Sequence, residues 1–356
     1  MSRRSFIQWL LGSVLFLFSG IFAFFPKDDP LSSTSATLDP STQPTPSTEP
    51  SPTTEPTAKP ARGTGALLLS FFLFSDMHIS NGDSVTAHKL KLALDDLSSF
   101  DTKVEALLFG GDLTDLGRES DYDLLKSILG KYKLPPLYGN MGNHDYYDIW
   151  IDKAGAFVHE TMPNGKTDAQ SRERFQMFLG YKNKPYQEVL LNGVRLLMVS
   201  QEAYVQEKSD VGEGAWYSDE QLAWLKERLA LNPVGKPVLI MIHQPLPAIG
   251  SNGRTHQMIR ANEFREILKP YLNVFVFSGH THRNFNSDTH YTKESFHWFV
   301  NSSVGRVRAT AGKTGQNGSL SQGMFVQVYE NEVLVRGREF SDRTWIDAAK
   351  WSISLT

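Results

Sequence analysis

Five times along this 356-residue chain, a short apolar run stops abruptly at a turn made of glycine, carboxylate, amide or histidine residues. The first two runs cover residues 66–75 and 104–109, and residues 85–97 between them have the spacing of an amphipathic helix. A strand–helix–strand order of this kind is typical of parallel strands joined by crossover helices. We therefore predict an α/β fold in which the polar turns lie at the carboxyl ends of strands.

The rest of the chain continues this pattern, with one polar interruption. Residues 148–185 contain a predicted helix at 172–178 but no strong strand signal, so we interpret them as a substrate lid or cap. Asn192-Gly193 predicts a tight hairpin turn. The other predicted elements are strands at 137–140, 186–191, 194–200, 238–242, 274–277, 295–300, 324–329 and 333–335, and helices at 121–129, from Ser218 onward and at 261–268.

The five turns contain the residue types of a metal site. Asp76 and His78 are two apart on an extended segment, so their side chains point the same way, as do those of His280 and His282. Because sites in α/β sheets form at the carboxyl ends of strands, all five turns can converge on one point. The turns are Asp76-Met77-His78, Gly111-Asp112, Gly142-Asn143-His144-Asp145, the single His243, and Gly279-His280-Thr281-His282.

The ligand types limit the metals that such a site would bind. The chain has no cysteine, which excludes disulfides, zinc–thiolate sites and thiol nucleophiles. Imidazole and oxygen ligands suit manganese, iron, zinc or cobalt, or a mixture. One Asp-x-His pair or one histidine is more often fortuitous or structural. The order of all five turns, each at a strand end, favours a metal site instead.

These turns resemble the signature of the calcineurin-like metallophosphoesterase superfamily, which reads Asp-x-His, Gly-Asp, Gly-Asn-His-Asp/Glu, a single His and Gly-His-x-His. All five blocks are present in order between Asp76 and His282, and no ligand position departs from the pattern. The likeness extends over residues 66–356. It implies a four-layered αββα sandwich with two metal ions, divalent or trivalent.

The resemblance also implies a role for each residue of the turns. His144 would face the substrate without binding metal, and Asp145 would orient it. Asp115 is either another supporting group or an ordinary helix-capping or surface residue. The implied metal ligands are Asp76, His78 and His282 for the first cation, Asp112 as the bridge, and Asn143, His243 and His280 for the second cation.

Two cations a few ångströms apart would generate a bridging hydroxide that attacks phosphorus in line with the leaving oxygen. His144 would donate a proton to that oxygen. We therefore expect a metal-dependent phosphoric ester hydrolase, with a phosphodiester favoured as substrate. A phosphomonoesterase or pyrophosphatase using the same site, a non-catalytic surface binding module, and a purely structural metal site remain as alternatives.

Substrate choice is expected to depend on residues 148–185 and on the loop at 249–258. Arg254 and His256 in that loop are either phosphate contacts or ordinary surface residues. The formal net charge of the chain is −3, so no global positive field would hold nucleic acid, and we expect no stable nucleic-acid binding.

The N-terminal segment predicts export. Residues 6–25 form an uncharged, mostly apolar run of a length that can span a membrane, preceded by Arg3 and Arg4. Ser-Arg-Arg-x-Phe-Ile resembles a twin-arginine export signal, although Ile7 and Gln8 depart from its most frequent form. An ordinary signal anchor is the alternative. Bulky residues end the run, so an uncleaved anchor over residues 1–27 is favoured.

Residues 28–65 are rich in proline, serine and threonine and contain too few apolar side chains to form a core. This composition predicts a disordered linker between the anchor and a catalytic domain at residues 66–356. The expected partners are a phosphate-ester substrate, the membrane and the twin-arginine export machinery. The expected location is extracytoplasmic, anchored by residues 6–25, or secreted if the signal is cleaved.

Overall fold

A computed structural model describes residues 64–287, 289–308 and 319–356 of the chain, all of which belong to one compact unit. The predicted anchor at residues 1–27 and nearly all of the predicted linker at 28–65 lie outside the described residues. Within the described part of the chain, no helix is both long and apolar enough to cross a membrane.

The first sheet has six strands in the order β12-β11-β10-β1-β2-β3. Strands β1, β2 and β3 are parallel, as their helical crossovers require. On the other side of β1, strands β10, β11 and β12 follow in order, and each is antiparallel to the strand before it. Its strands are β1 (Leu67–Phe74), β2 (Ala106–Gly110), β3 (Leu137–Asn140), β10 (Gln322–Tyr329), β11 (Glu332–Glu339) and β12 (Thr344–Ser354).

The second sheet also has six strands, in the order β4-β5-β6-β7-β9-β8. Its four central strands are parallel, and an antiparallel strand lies at each edge. At the predicted hairpin between β4 and β5, Asn192 has φ 50° and Gly193 has φ 80°, which a type I′ turn requires. The strands are β4 (Gln187–Leu191), β5 (Val194–Met198), β6 (Val238–Met241), β7 (Val274–Ser278), β8 (Tyr291–Lys293) and β9 (His297–Val300).

Five α-helices and two short 3-10 helices complete the described structure. The α-helix at residues 168–179 begins earlier than predicted, because Thr167 and Gln170 form a capping box at its start. The α-helices are α1 (Ser84–Ser98), α2 (Glu119–Leu129), α3 (Asp168–Leu179), α4 (Asp219–Ala230) and α5 (Ala261–Leu268), and the 3-10 helices are His144–Trp150 and His159–Thr161.

The sheets stack face to face, and their outer faces are covered by helices. In β1, Phe71 and Leu73 pack into the core between the sheets, whereas Phe72 and Phe74 pack beneath the helices of the first sheet. The outer face of the second sheet packs in the same way against α4 and α5. Since both faces of these strands are buried, their sequences read as continuous apolar runs. The predicted four-layered αββα sandwich is confirmed.

Candidate metal centre

The carboxyl ends of β1, β2, β3, β6 and β7 lead into the five polar turns, and these turns meet in the structure. We call the seven predicted ligand residues the ligand cluster. Backbone bonds join neighbouring turns: Asp76 N donates to Gly111 O at 3.0 Å, and Gly279 N donates to His243 O at 2.9 Å. The ligand cluster comprises Asp76, His78, Asp112, Asn143, His243, His280 and His282.

Most of the ligand cluster has an unusual backbone conformation. A non-glycine residue with positive φ is uncommon, and such residues persist only where the surrounding structure fixes them. Clustering of this conformation at one place is typical of functional sites. Five cluster residues have it: Asp76 (φ 54°), His78 (φ 48°), Asp112 (φ 49°), His280 (φ 68°) and His282 (φ 54°).

Glycines in the turns allow these side chains to approach closely. A Cβ atom on Gly142 would lie 2.6 Å from the backbone nitrogen of Asp112 and would overlap its carboxylate. A Cβ atom on Gly279 would lie 2.6 Å from Oδ2 of Asp76. Any larger residue would therefore push the two aspartates out of the cluster.

One part of the ligand cluster contains four groups whose ligand atoms all lie within 4.8 Å of one another, namely Asp76, His78, Asp112 and His282. The Nε2 atoms of His78 and His282 are 3.0 Å apart, and His282 Nε2 is 3.0 Å from Asp76 Oδ1. All four residues are buried. These are the residues that the resemblance assigns to the first cation, with Asp112 as the bridge.

The other part contains Asp112, His243 and His280, whose ligand atoms also lie within 4.8 Å of one another. Asn143 joins it, because its Oδ1 is 3.0 Å from His280 Nδ1. Oδ2 of Asp112 lies 3.1 Å from His243 Nε2 and 3.8 Å from His78 Nε2, so one carboxylate oxygen faces both parts. This placement fits a bridging ligand.

The hydrogen bonds of the histidines test whether the ligand cluster suits a cation. A carbonyl can only accept, so His243 Nδ1 donates to Gly110 O at 2.7 Å and His282 Nδ1 donates to Arg306 O at 3.0 Å. His78 Nδ1 pairs in the same way with Asp115 Oδ1 at 3.0 Å. In a neutral ring, the inner Nε2 atom then carries a lone pair. These lone pairs face each other or a carboxylate.

Two lone pairs at 3.0 Å repel each other, as do a lone pair and a carboxylate, unless a positive charge lies between them. Nε2 of His243 is fully buried and has no hydrogen-bond partner among the described residues. Burial disfavours an imidazolium there, yet Asp112 and Asp76 raise the pKa of His243 to about 9. The ligand cluster thus attracts positive charge, and its donor set fits divalent metal ions.

His144 lies at the edge of the ligand cluster. Its backbone nitrogen donates to Asp112 Oδ1 at 2.9 Å, and its Nδ1 lies 2.9 Å from the carbonyl oxygen of Asp115. Burial disfavours its charged form, but Asp112 and Asp115 raise the pKa of His144 to about 9. The side chain is 24% exposed, so a protonated imidazole is within reach of a substrate.

The carboxylate of Asp145, which was expected to orient His144, makes its hydrogen bonds with other groups. It accepts from the backbone nitrogens of Gly142 and Thr114 and from the hydroxyl of Tyr122, each at 3.1 Å. Burial and then the charge of Asp112 raise the pKa of Asp145 to about 6. A 3-10 helix begins at His144 and turns the next side chain inward, so Asp145 joins two of the turns.

Asp115, for which two interpretations were open, is the supporting group. It contacts both His78 and His144, and Arg306 binds it with two bonds of 2.7 and 2.8 Å. Although burial raises the pKa of this carboxyl, hydrogen bonds from His144, His78 and Arg306 hold it well below its usual range. Arg306 also pairs with Asp83 at 3.2 Å.

Two further residues outside the predicted motifs, Glu213 and His256, contact the ligand cluster. Glu213 accepts from Asn143 Nδ2 at 2.7 Å, a contact across 70 residues of sequence that no local pattern announces. His256 has φ 66° and places its Nδ1 3.2 Å from His280 Nε2. The loop at 249–258 therefore reaches the ligand cluster through His256, while Arg254 is exposed.

Residues 69–284 of the chain match the family described as calcineurin-like phosphoesterase. This match spans more than half of the chain and includes every residue of the ligand cluster.

Two curated proteins are similar to this chain at low identity. A probable glycerophosphodiester phosphodiesterase of Arcobacter nitrofigilis is 24% identical over 219 residues, which are 59% of this chain and 70% of that protein. A probable cyclic nucleotide phosphodiesterase of Rhodococcus erythropolis is 25% identical over 281 residues, which are 73% of this chain and 80% of that protein.

Among solved structures, a purple acid phosphatase from the seeds of yellow lupin (Lupinus luteus) has a TM-score of 0.53 to this chain at 14% identity. The similarity covers 83% of this chain and 55% of that phosphatase, so this chain spans little more than half of its length. At this identity the likeness shows the fold alone.

Proposed function

Because this chain belongs to the calcineurin-like phosphoesterase family and is a metal-dependent phosphoric ester hydrolase, we propose that it cleaves phosphodiesters at a site for two cations. The observation that carries this proposal is the inward-facing set of lone pairs and carboxylates in the ligand cluster. The proposed ligands are Asp76, His78 and His282 for one cation, Asn143, His243 and His280 for the other, and Asp112 for both.

When bound, the two cations would supply activation of a water molecule and neutralisation of charge on the phosphate. The protein orients its own oxygen ligands for this purpose. His280 N donates to Asp76 Oδ1 at 3.0 Å, and His144 N donates to Asp112 Oδ1 at 2.9 Å. These backbone bonds fix the rotation of both carboxylates, so little reorganisation is needed when a substrate binds.

We assign His144 as the proton donor to the leaving oxygen. Its Nδ1 is held by the carbonyl and carboxylate of Asp115, which leaves Nε2 as the end that can meet a substrate. The ring contacts Tyr147, at a centroid distance of 4.1 Å, and His78, in an edge-to-face arrangement at 4.4 Å. A ring held by two aromatic neighbours and by Asp115 presents its proton in one direction.

A phosphodiester carries one negative charge, whereas a terminal phosphate monoester carries up to two. Arg306 lies on a segment that passes the ligand cluster, and its guanidinium is paired with Asp115 and Asp83. It therefore offers little free positive charge to balance the second negative charge of a monoester. The two similar curated proteins are both named as phosphodiesterases, which supports the same preference.

The test is hydrolysis of bis-p-nitrophenyl phosphate, p-nitrophenyl phosphate and pyrophosphate by the purified full-length chain with added Mn²⁺. We expect the diester to have the highest kcat/KM, by about tenfold or more, which corresponds to 1.4 kcal/mol. A faster monoester or pyrophosphate would overturn the diester assignment and leave the cation site in place. Mn²⁺ binding without any hydrolysis would instead support a binding module.

For the N-terminal segment, which lies outside the described residues, we propose twin-arginine export and membrane anchoring by residues 6–25. The support is Arg3 and Arg4 before an apolar run that is long enough to span a bilayer. Replacing both arginines with lysine should leave the protein in the cytoplasm, as measured by cell fractionation. Unchanged export of this variant would argue for an ordinary signal anchor.

A further inference from the structure

Glu213 lies on the segment between β5 and α4 and belongs to no motif, yet its carboxylate is surrounded by donors from the candidate site. Its Oε2 accepts from Asn143 Nδ2 and from the Tyr147 hydroxyl, both at 2.7 Å. Its Oε1 accepts from the Tyr204 hydroxyl at 2.6 Å. All three contacts are partly buried, so they are little exchanged with water.

The contact with Asn143 determines which way the amide points. An asparagine side chain has an oxygen that accepts and a nitrogen that donates, and rotation by 180° about its last bond exchanges them. A carboxylate at 2.7 Å can only accept, so the amide nitrogen must face Glu213. The amide oxygen then faces His280 Nδ1, 3.0 Å away, on the side of the proposed cation.

We propose that Glu213 is a positioning residue that makes Asn143 a ligand of the second cation. Without the carboxylate, the amide nitrogen of Asn143 would keep only the Tyr147 hydroxyl as an acceptor, at 3.1 Å, so the orientation that presents the oxygen to the cation would be less strongly favoured. The other orientation would present a donor to the cation. This inference rests on the proposed function, since it requires a cation among Asn143, His243 and His280. It adds a residue that no feature of the sequence motifs indicates.

The same carboxylate positions the proton donor indirectly. Tyr147, held by Glu213, packs its ring on His144 at a centroid distance of 4.1 Å. The segment of Glu213 is itself fixed from outside, because Ala215 N donates to Gln257 O at 3.1 Å and Ile259 N donates to Ala215 O at 2.8 Å. The carboxylate of Glu213 therefore holds Asn143 directly and His144 through Tyr147.

Mn²⁺ titration of the metal-free, full-length chain by calorimetry and electron paramagnetic resonance tests the proposal. Wild type should bind two Mn²⁺ ions. Glu213→Ala should retain the first site and weaken the second by about 10- to 100-fold, which is typical for loss of a group that orients a ligand. Its kcat should recover at high Mn²⁺, a rescue that a purely structural defect would not give.

Glu207→Ala is the matched control, because Glu207 lies on the same segment, pairs with Arg172 and contacts no residue of the ligand cluster. It should bind both ions as wild type does. Glu213→Gln should also lie close to wild type, since its amide oxygen can still accept from Asn143 while its nitrogen meets a tyrosine oxygen.

A charge exchange keeps the proposal testable if Glu213→Ala does not fold. Asn143→Asp alone places two carboxylates together and should weaken the second site, whereas Asn143→Asp with Glu213→Gln restores a donor–acceptor pair and should recover it. Equal affinity of both sites in wild type and Glu213→Ala, or no recovery in the double variant, would overturn the role of Glu213 alone. A wild type that binds fewer than two ions would overturn the proposed dinuclear function itself.

Discussion

The two sheets contribute chemically different donors to the ligand cluster. The turns after β1, β2 and β3 supply all of its oxygen ligands, Asp76, Asp112 and Asn143, together with His78. The turns after β6 and β7 supply only imidazoles. The first sheet therefore provides the negative charge, and the second sheet provides donors that are neutral when they bind a metal.

Each sheet orients the donors of the other. Gly110 O in the first sheet accepts from His243 Nδ1 at 2.7 Å, and His280 N beyond the second sheet donates to Asp76 Oδ1 at 3.0 Å. Burial alone would raise the pKa of Asp76, but His282 and His243 lower it to about 2. The site thus depends on both sheets. Substitutions in the turns of the first sheet and of the second should therefore have effects of different size on activity.

The largest effect is expected for the shared carboxylate. Asp112→Asn removes charge from both proposed cation sites and should lower kcat by at least about 1000-fold, together with the loss of bound Mn²⁺. His243→Asn removes one donor from one site and should cost about 100-fold, with one ion retained. Diester hydrolysis and metal content are measured for both variants. Equal losses of kcat and of bound metal would contradict the view that the first sheet supplies the charged ligands and the second sheet the neutral ones.

The next effect concerns His144, which lies beyond the first sheet but carries no predicted metal contact. His144→Ala should keep both cations and lower kcat by about 100-fold on a substrate with a poor leaving group. On bis-p-nitrophenyl phosphate the loss should be smaller, because that leaving oxygen hardly needs a proton. A loss that is the same for good and poor leaving groups would rule out proton donation by this residue.

The close approach between the sheets can be tested through stability. Gly279→Ala places a methyl group 2.6 Å from Asp76 Oδ2 and should lower the free energy of unfolding by about 1–3 kcal/mol. Gly82→Ala is the control, because its nearest neighbour would be Ser80 Oγ at 3.8 Å. Urea denaturation of both variants gives their free energies of unfolding. Similar values would indicate that the turns can shift to accommodate the added methyl group at little cost.

The smallest expected effect is on the pH dependence of stability, and it concerns His297, a buried histidine of the second sheet whose surroundings differ from those of His243. His243 has carboxylate neighbours, whereas burial and the charge of Lys293 lower the pKa of His297 to about 4. The unfolded chain then binds more protons between the ordinary pKa of 6.5 and about 4, so this contribution to stability is present above 6.5 and is lost as the pH falls.

The His297 ring stacks on Phe275 at a centroid distance of 4.9 Å, so His297→Phe keeps an aromatic ring at this position and removes the titration. Between pH 7 and pH 5 it should lose about 1–2 kcal/mol less stability than wild type. Urea denaturation at the two pH values measures the difference, with exposed His88→Gln as the control. Identical pH dependence in wild type and His297→Phe would assign the acid sensitivity elsewhere.

The turns could be predicted from sequence because their signal is local. Glycines, carboxylates and histidines stand directly after buried runs, and the structure brings all seven ligand residues together as the resemblance implies. The strands β8 and β12 were not predicted, because β8 has only three residues and β12 has no continuous apolar run and an irregular burial pattern over its first half. The early start of α3 depends on one capping pair within a polar stretch.

Contacts that depend on three-dimensional direction could not be predicted. Asp145 follows His144 in the motif, but within the 3-10 helix that begins at His144 its carboxylate bonds Gly142, Thr114 and Tyr122, whereas His144 bonds Asp115. Glu213 follows β5 of the second sheet and Asn143 follows β3 of the first, so these residues, 70 apart in sequence, become neighbours only through the packing of the two sheets. The supporting role of Asp115 was one of two open interpretations, and only its contacts with His78 and His144 decide between them.

The interlocking of the two sheets has a consequence for the order of events in folding. Donors spread from Asp76 to His282 become neighbours only when sequence-distant strands have closed against one another, a slow type of step. Partly folded chains therefore lack a complete set of donors and gain little from the ions. We expect cations to slow unfolding far more than they speed refolding, because a site completed this late should contribute little binding energy to the folding transition state.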